Sequence, residues 1–214
     1  MTAKQDKLAT LFKQATIIPV LAIDRLEDAV PLAKALVAGG VRVLEVTLRT
    51  EVAIPAAKAI MADVPEAIVG IGTILNAADL ARAETLGAKF GISPGATPEL
   101  LKAAAASALP FAPGIATASD LMQALAHGFD LVKFFPAESS GGIKALRALA
   151  GPFPDVRFCP TGGIGEANAA AWLSEPNVVA VGGSWLCPAA DIRSANWAGI
   201  SAICRRTMNS LKPA

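Results

Sequence analysis

Residues 17–50 read IIPVLAIDRLEDAVPLAKALVAGGVRVLEVTLRT. Two β-rich runs, IIPVLAI (17–23) and RVLEVTL (42–48), enclose an Ala- and Leu-rich helical stretch that stops at Gly39–Gly40. Strands this apolar suit a sheet covered by helices on its faces. The same unit recurs along the chain. Further β-rich runs are AIVGIGT (67–73), KFGISP (89–94), LPFAPGI (109–115), LVKFFP (131–136), VRFCPTGG (156–163) and VVAVGGSW (178–185). They recur roughly every 20–26 residues, the footprint of a β-loop-α-loop unit. Eight such runs, with no Gly/Ser-rich linker or composition break, predict a single domain over residues 1–214. Its class is α/β, and its fold a closed (β/α)8 TIM barrel. The face formed by Leu8, Leu11 and Phe12 predicts an extra N-terminal helix before the first strand. A doubly wound open sheet is the alternative, but no Gly-rich dinucleotide fingerprint follows the first strand. Between strands the helix signals are explicit. In TASDLMQALAHG (117–128), Thr117 is an N-cap residue and Gly128 a stop.

Composition narrows the function classes. The net charge is +1 and the basic residues are not clustered, which argues against nucleic acid or an anionic membrane as a partner. No run approaches the ~18 apolar residues of a membrane span, and MTAKQDKLATLFKQA lacks the apolar core of a signal peptide. A cytoplasmic protein is the expectation. The cysteines Cys159, Cys187 and Cys204 are odd in number and far apart, so neither a disulfide framework nor a zinc site is indicated. The only histidine, His127, sits at a helix end, and tyrosine is absent. Catalytic zinc usually needs several His or Cys ligands, so metal-dependent chemistry is hard to assemble here. Charged residues make up only 17% of the chain, below the usual ~25%, which suggests apolar surface buried between subunits.

Glycine and proline collect where the strands end, in GIGT, ISPG, APGI, FFPAE, PTGG and VGGS. In a β/α barrel those C-terminal ends form the active-site face, and glycine lets backbone approach a ligand there. Two side chains inside the strands then stand out. Lys133 is the only lysine interior to a predicted strand, and alternation places it on one face with Leu131 and Phe135. An amine held among apolar side chains is disfavoured as ammonium, and the neutral amine is what attacks a ketone. Glu45 is the only acid in mid-strand, on one face with Val43, Thr47 and Arg49. A buried carboxylate is costly unless paired, and Lys133 can pair with it. The pair would also supply the acid–base group that imine chemistry needs.

Arg49 lies roughly 13 Å further along the strand, at the predicted mouth, where a guanidinium can grip a carboxylate bidentately. Thr73, Thr161 and Ser184 add small polar groups to the rim. The turns Gly162–Gly163 and Gly182–Gly183 follow the seventh and eighth strands, the usual phosphate position in phosphate-binding barrels.

These strings resemble a known family. VAGGVRVLEVTLRT, GIGTILN, ISPG, KFFPAE, GPFPDVRFCPTGGI and VGGSWL are similar to 2-keto-3-deoxy-6-phosphogluconate (KDPG) aldolases, over residues 17 to 187. The resemblance implies a Schiff base on Lys133 and acid–base catalysis by Glu45. It implies carboxylate binding by Arg49, substrate contacts at Thr73 and Thr161, and pocket walls at Pro94 and Phe135. It places phosphate at Gly162, Gly163, Gly183 and Ser184. It further implies a homotrimer that needs no metal or other cofactor. The small-molecule partners would be a phosphorylated 2-keto-3-deoxy sugar acid, pyruvate and glyceraldehyde 3-phosphate, within the Entner–Doudoroff route. A second activity on 4-hydroxy-2-oxoglutarate is implied as well. The rival readings are an aldolase for the galactonate epimer or mainly for hydroxy-oxoglutarate, another barrel enzyme such as a phosphosugar isomerase or a 2-oxo-acid decarboxylase, and a non-catalytic sugar-phosphate-binding barrel.

Overall fold

The computed structural model describes residues 2–211. Helix α1 (Ala3–Ala15) leads into strand β1 (Ile17–Leu21), and a short 3-10 turn precedes α2 (Ala29–Ala38). There follow β2 (Val43–Thr47), α3 (Ala53–Asp63), β3 (Ile68–Gly72), α4 (Ala77–Leu86), β4 (Gly91–Ile92) and α5 (Pro98–Ala106). The run at 109–115 forms two short strands, β5 (Phe111–Ala112) and β6 (Gly114–Ile115). Pro113 separates them, because proline has no N–H for the ladder. The chain continues through α6 (Ala118–Ala126), β7 (Leu131–Phe134), α7 (Gly142–Ala150), β8 (Arg157–Pro160), α8 (Ala169–Leu173), β9 (Val181–Gly183), α9 (Ala189–Arg193) and α10 (Trp197–Ser210).

Strand order is β5-β4-β3-β2-β1-β9 in one sheet and β6-β7-β8 in the other, and each named pairing is parallel. Isolated parallel bridges join Phe158 to Val178 and Thr161 to Gly182. Glu45 of β2 and Lys133 of β7 lie in different sheets yet approach to 3.2 Å, so the sheets curl around a shared interior. The molecule is thus an α/β fold on a curled parallel sheet.

Side-chain alternation divides the core in two. Val43, Ile92, Ala112, Leu131 and Cys159 turn inward and meet Leu8 and Phe12 of α1. Leu44, Val46, Val132, Phe134 and Phe158 turn outward and meet the helices. The period of two read from the sequence holds in β2 and β7, which carry the two ionisable residues. Helix α1 lies against the strand starts. Phe12 stacks edge-on against Phe90, with ring centroids 5.3 Å apart. Gln5 donates from Nε2 to the Phe111 carbonyl and accepts from the Leu131 amide, both at 2.8 Å. It therefore satisfies two strand-end backbone groups that would otherwise be buried without partners. At the expected N-cap of α6, Thr117 accepts from the Asp120 amide, and Asp120 accepts from that of Thr117, a reciprocal capping box. His127 caps the C-terminus, followed by Gly128 at φ 86°. Among the described residues no helix is long and apolar enough to cross a membrane.

Candidate active site

Strand β7 delivers Lys133 inward with only 3% of its surface exposed, and β2 delivers Glu45 at 1%. Lys133 Nζ donates to Glu45 Oε1 at 3.2 Å and stands 5.2 Å from the centre of the Phe135 ring. The two residues are 88 positions apart, and only the curl of the sheet joins them. Glycine makes the space. A Cβ at Gly72 would overlap the Glu45 carboxylate, and one at Gly182 would overlap Thr161 Oγ1. A Cβ at Gly114, the β6 neighbour of Lys133, would overlap the Pro94 backbone.

The other flank of Lys133 is Cys159, its register partner on β8. Burial pushes the Cys159 thiol up to about 12. The Lys133 charge opposes that shift and the Glu45 charge adds to it. A neutral thiol beside the amine keeps the interior free of further charge. Sequence reasoning counted Cys159 only as an isolated cysteine, although its place in FCPTGG puts it on the inward face.

Above the pair opens a cleft of about 650 Å³. Arg49, Phe135, Thr161, Gly162, Gly163, Gly183 and Ser184 all line it. Lys133 and Glu45 lie outside that wall, and Phe135 and Thr161 connect the two levels. Arg49 is exposed in the turn after β2 and donates from Nε to Thr73 Oγ1 at 3.3 Å. Thr73 adopts φ 58°, unusual for a β-branched residue, and stands behind Arg49 instead of on the wall. Pro94 is likewise off the cleft wall and packs against Gly114 beside Lys133.

The glycine turns leave backbone donors without protein acceptors among the described residues. Gly162 and Gly163 have φ 101° and 77°, consecutive left-handed residues. Among the described residues, neither of their amides, nor that of Ser184, donates to a protein acceptor. Successive free N–H groups in a turn form an anion-binding concavity. Among the described residues a helix N-terminus reaches the cleft only at Ala189, the first residue of α9; α8 begins away from it. The walls that the sequence did not single out include Ile164 and Trp185, next to the glycine turns, and Leu32 and Ile192 from α2 and α9. The first two are legible as neighbours of strand ends; the helical pair needs the tertiary fold. Among the described residues, no group of three or more His, Cys, Asp or Glu side chains is placed to hold a metal ion.

Comparison with known proteins gives the family. The family model of KDPG and KHG aldolases matches residues 8–203. The KHG/KDPG aldolase of Escherichia coli K12 is 53% identical over 196 residues, covering 92% of both chains. The KDPG aldolase structure from Legionella pneumophila, solved with pyruvate captured at low pH as a covalent carbinolamine intermediate, superposes with TM-score 0.91. It is 46% identical, covering 93% of this chain and 97% of its own. The Zymomonas mobilis ZM4 enzyme, solved with 3-phosphoglycerate, also gives TM-score 0.91, at 45% identity over 98% of both chains. By sequence and by fold, this chain belongs to the KDPG and KHG aldolase family.

Proposed function

We propose that this chain is a Schiff-base aldolase that cleaves 2-dehydro-3-deoxy-6-phosphogluconate to pyruvate and glyceraldehyde 3-phosphate, and that it also acts on 4-hydroxy-2-oxoglutarate. The observation that carries the reading is the buried contact between Lys133 Nζ and Glu45 Oε1 at 3.2 Å. A lone buried ion pair is poor value for stability, since desolvation offsets most of its attraction. A nucleophile held against its base is what imine chemistry uses. The relatives crystallised with a pyruvate carbinolamine and with 3-phosphoglycerate support both ends of the substrate.

The pairing of Lys133 with Glu45 supports the following steps. Proton transfer from Lys133 to Glu45 frees the amine. The amine adds to the C2 ketone, Glu45 returns its proton to the departing hydroxyl, and loss of water from the carbinolamine gives a protonated imine. Glu45, directly or through a water, then takes the proton of the C4 hydroxyl. The C3–C4 bond breaks, its electron pair moving into the imine to form an enamine while C4 leaves as an aldehyde. Protonation at C3 and hydrolysis release pyruvate and restore Lys133. Arg49, with Thr73 behind it and Thr161 opposite, holds the carboxylate. Pro94 and Phe135 flank the imine. The amides of Gly162, Gly163 and Ser184, with the Ser184 hydroxyl, hold the phosphate, and Gly183, whose own amide pairs with β1, lets it approach the strand end.

The wider frame belongs to the same proposal. Residues 1–214 form one domain, and its strands close into a (β/α)8 barrel. Closure is supported by the Thr161–Gly182 bridge between β8 and β9 and by the one-residue gap at Pro113 between β5 and β6. The extra N-terminal helix plugs the end opposite the cleft. The enzyme works as a cytoplasmic homotrimer without metal or other cofactor, and multi-angle light scattering would read the trimer. The deciding experiment is pyruvate release measured on four substrates: KDPG, its galactonate epimer, unphosphorylated 2-dehydro-3-deoxygluconate and 4-hydroxy-2-oxoglutarate. The proposal expects KDPG to have the highest kcat/KM. A higher value for the epimer or for hydroxy-oxoglutarate would reassign the main substrate, and no turnover of any would overturn the aldolase reading.

A further inference from the structure

Glu138 ends the string KFFPAE, yet it makes no hydrogen bond with the Lys133 pair among the described residues. Its contacts run elsewhere. Glu138 Oε1 accepts from Trp172 Nε1 at 2.8 Å and from Asn168 Nδ2 at 3.1 Å. Trp172 is fully buried against Phe134, so the carboxylate is tied to a fixed point of the core. Asn168 carries the connection onward. Its Nδ2 also donates to the Gly163 carbonyl at 3.1 Å, and its Oδ1 accepts from the Gly165 amide at 2.8 Å. The Glu138 amide itself donates to the Gly162 carbonyl at 3.1 Å. The Glu138 stem lies flat on the turn, where a Cβ at Gly163 would come within 2.6 Å of its Cβ and Cγ.

The consequence is directional. The carbonyls of Gly162 and Gly163 are both engaged by donors, while the N–H groups of Gly163 and Ile164, which share those two peptide planes, have no acceptor among the described residues. A peptide plane joins the carbonyl of one residue to the amide of the next, so the engaged Gly162 carbonyl sets where the Gly163 amide points and the engaged Gly163 carbonyl sets where the Ile164 amide points. A carboxylate near a phosphate site is unfavourable by charge alone, so its presence calls for another reason. Two hydrogen bonds to Oε1 supply one. We infer that Glu138 is a positioning residue for the anion-binding turn, acting through Asn168 and Trp172 to hold the Gly163 and Ile164 amides toward the substrate phosphate. The inference rests on the phosphate assignment proposed above.

The test compares phosphorylated with unphosphorylated 2-dehydro-3-deoxygluconate. Glu138→Ala is expected to raise KM for the phosphorylated substrate by about tenfold, the scale of one lost hydrogen bond of ~1.4 kcal/mol, with kcat nearly unchanged. Its kcat/KM on the unphosphorylated substrate is expected to stay within about twofold, the scale of a few tenths of a kcal/mol. Inorganic phosphate should inhibit Glu138→Ala correspondingly more weakly. Glu138→Gln keeps an acceptor for both donors and loses the charge, so it should restore the parent KM. Asn168→Ala breaks the same chain at its next link and should reproduce the substrate split should Glu138→Ala fold poorly. Equal losses on both substrates, or a Gln variant as impaired as Ala, would overturn the inference. Ser184→Ala separates the two levels. A phosphate preference lowered in Ser184→Ala but intact in Glu138→Ala rejects the inference alone, and a preference intact in both rejects the phosphate site beneath it.

Discussion

Gly72 lies directly over the Glu45 carboxylate, so closely that a Cβ at position 72 would overlap Oε1. Gly72 is on β3, and its register partner on β2 is Thr47, two residues beyond Glu45 on the same face. The absence of a side chain there sets the path of Glu45 toward Lys133. Gly72→Ala is expected to push the carboxylate off its 3.2 Å contact with Lys133. General acid–base groups contribute about 10²–10⁴-fold, so kcat should fall by at least about tenfold. KM should change little, because the cleft above is untouched. Steady-state kinetics beside a thermal melt would check this, and a parent-like kcat would mean that Glu45 finds another productive position.

Arg49 gives the opposite profile. It is exposed, and among the described residues its only side-chain hydrogen bond runs to Thr73 at 3.3 Å. Arg49→Ala should therefore leave the melting temperature nearly unchanged. A charge-assisted bidentate contact is worth roughly 1.5–3 kcal/mol, so KM for the keto acid should rise about 10- to 100-fold. An unchanged kcat/KM in this variant would remove Arg49 from the site.

The cysteines make a prediction about alkaline pH. Burial pushes the thiols of Cys159 and Cys187 up to about 12 and that of Cys204 to about 11, from an ordinary 9.0. The folded state therefore holds protons that the unfolded chain releases. Their contribution to stability is complete below pH 9 and is lost progressively between pH 9 and about 12. Urea unfolding midpoints measured from pH 8 to 10.5 should fall above 9 and hold steadier in a variant with all three replaced by alanine, compared as a slope against pH. Iodoacetamide at pH 8 should label the native protein far more slowly than the urea-unfolded chain. Rapid native labelling of Cys159 would mean that the Lys133 chamber opens to solvent.

What the sequence disclosed follows the range of each interaction. Strand runs, the Thr117 cap and the inward phase of Glu45 and Lys133 are local, with periods of a few residues, and the structure reproduces them. The glycines at strand ends were legible as a class, and Gly162, Gly163 and Gly183 do line the cleft. Partners across the interior were not legible in the same way. Nothing in SPG says that Pro94 rests on Gly114, or in TLRT that Thr73 stands behind Arg49. Glu138 was hidden for a related reason. Its partners Asn168 and Trp172 lie 30 and 34 residues away, across one β/α unit, and its own stretch advertises only a polar residue after a strand. Leu32 and Ile192 joined the cleft wall because two helices lean over the strand ends, which periodicity does not encode.

The mechanism stands or falls on Lys133, where two effects of a single substitution can be separated. Borohydride added with pyruvate should reduce the imine and fix one three-carbon adduct per subunit, located on Lys133 by mass spectrometry of the digest. Lys133→Ala should abolish both trapping and turnover. That variant also strands the Glu45 carboxylate, which is 1% exposed and accepts from Lys133 alone among the described side chains. Removing one partner of a buried pair costs about 3–5 kcal/mol, so the variant should melt lower even while its circular dichroism at 25 °C matches the parent. Pairing the substitutions resolves the ambiguity. Lys133→Met with Glu45→Gln removes both charges and should recover most of that stability while staying inactive. Trapping on any other lysine would sink the Schiff-base assignment, as would an active Lys133→Ala. A double variant no more stable than Lys133→Ala would show that packing, and not the orphaned carboxylate, set the loss.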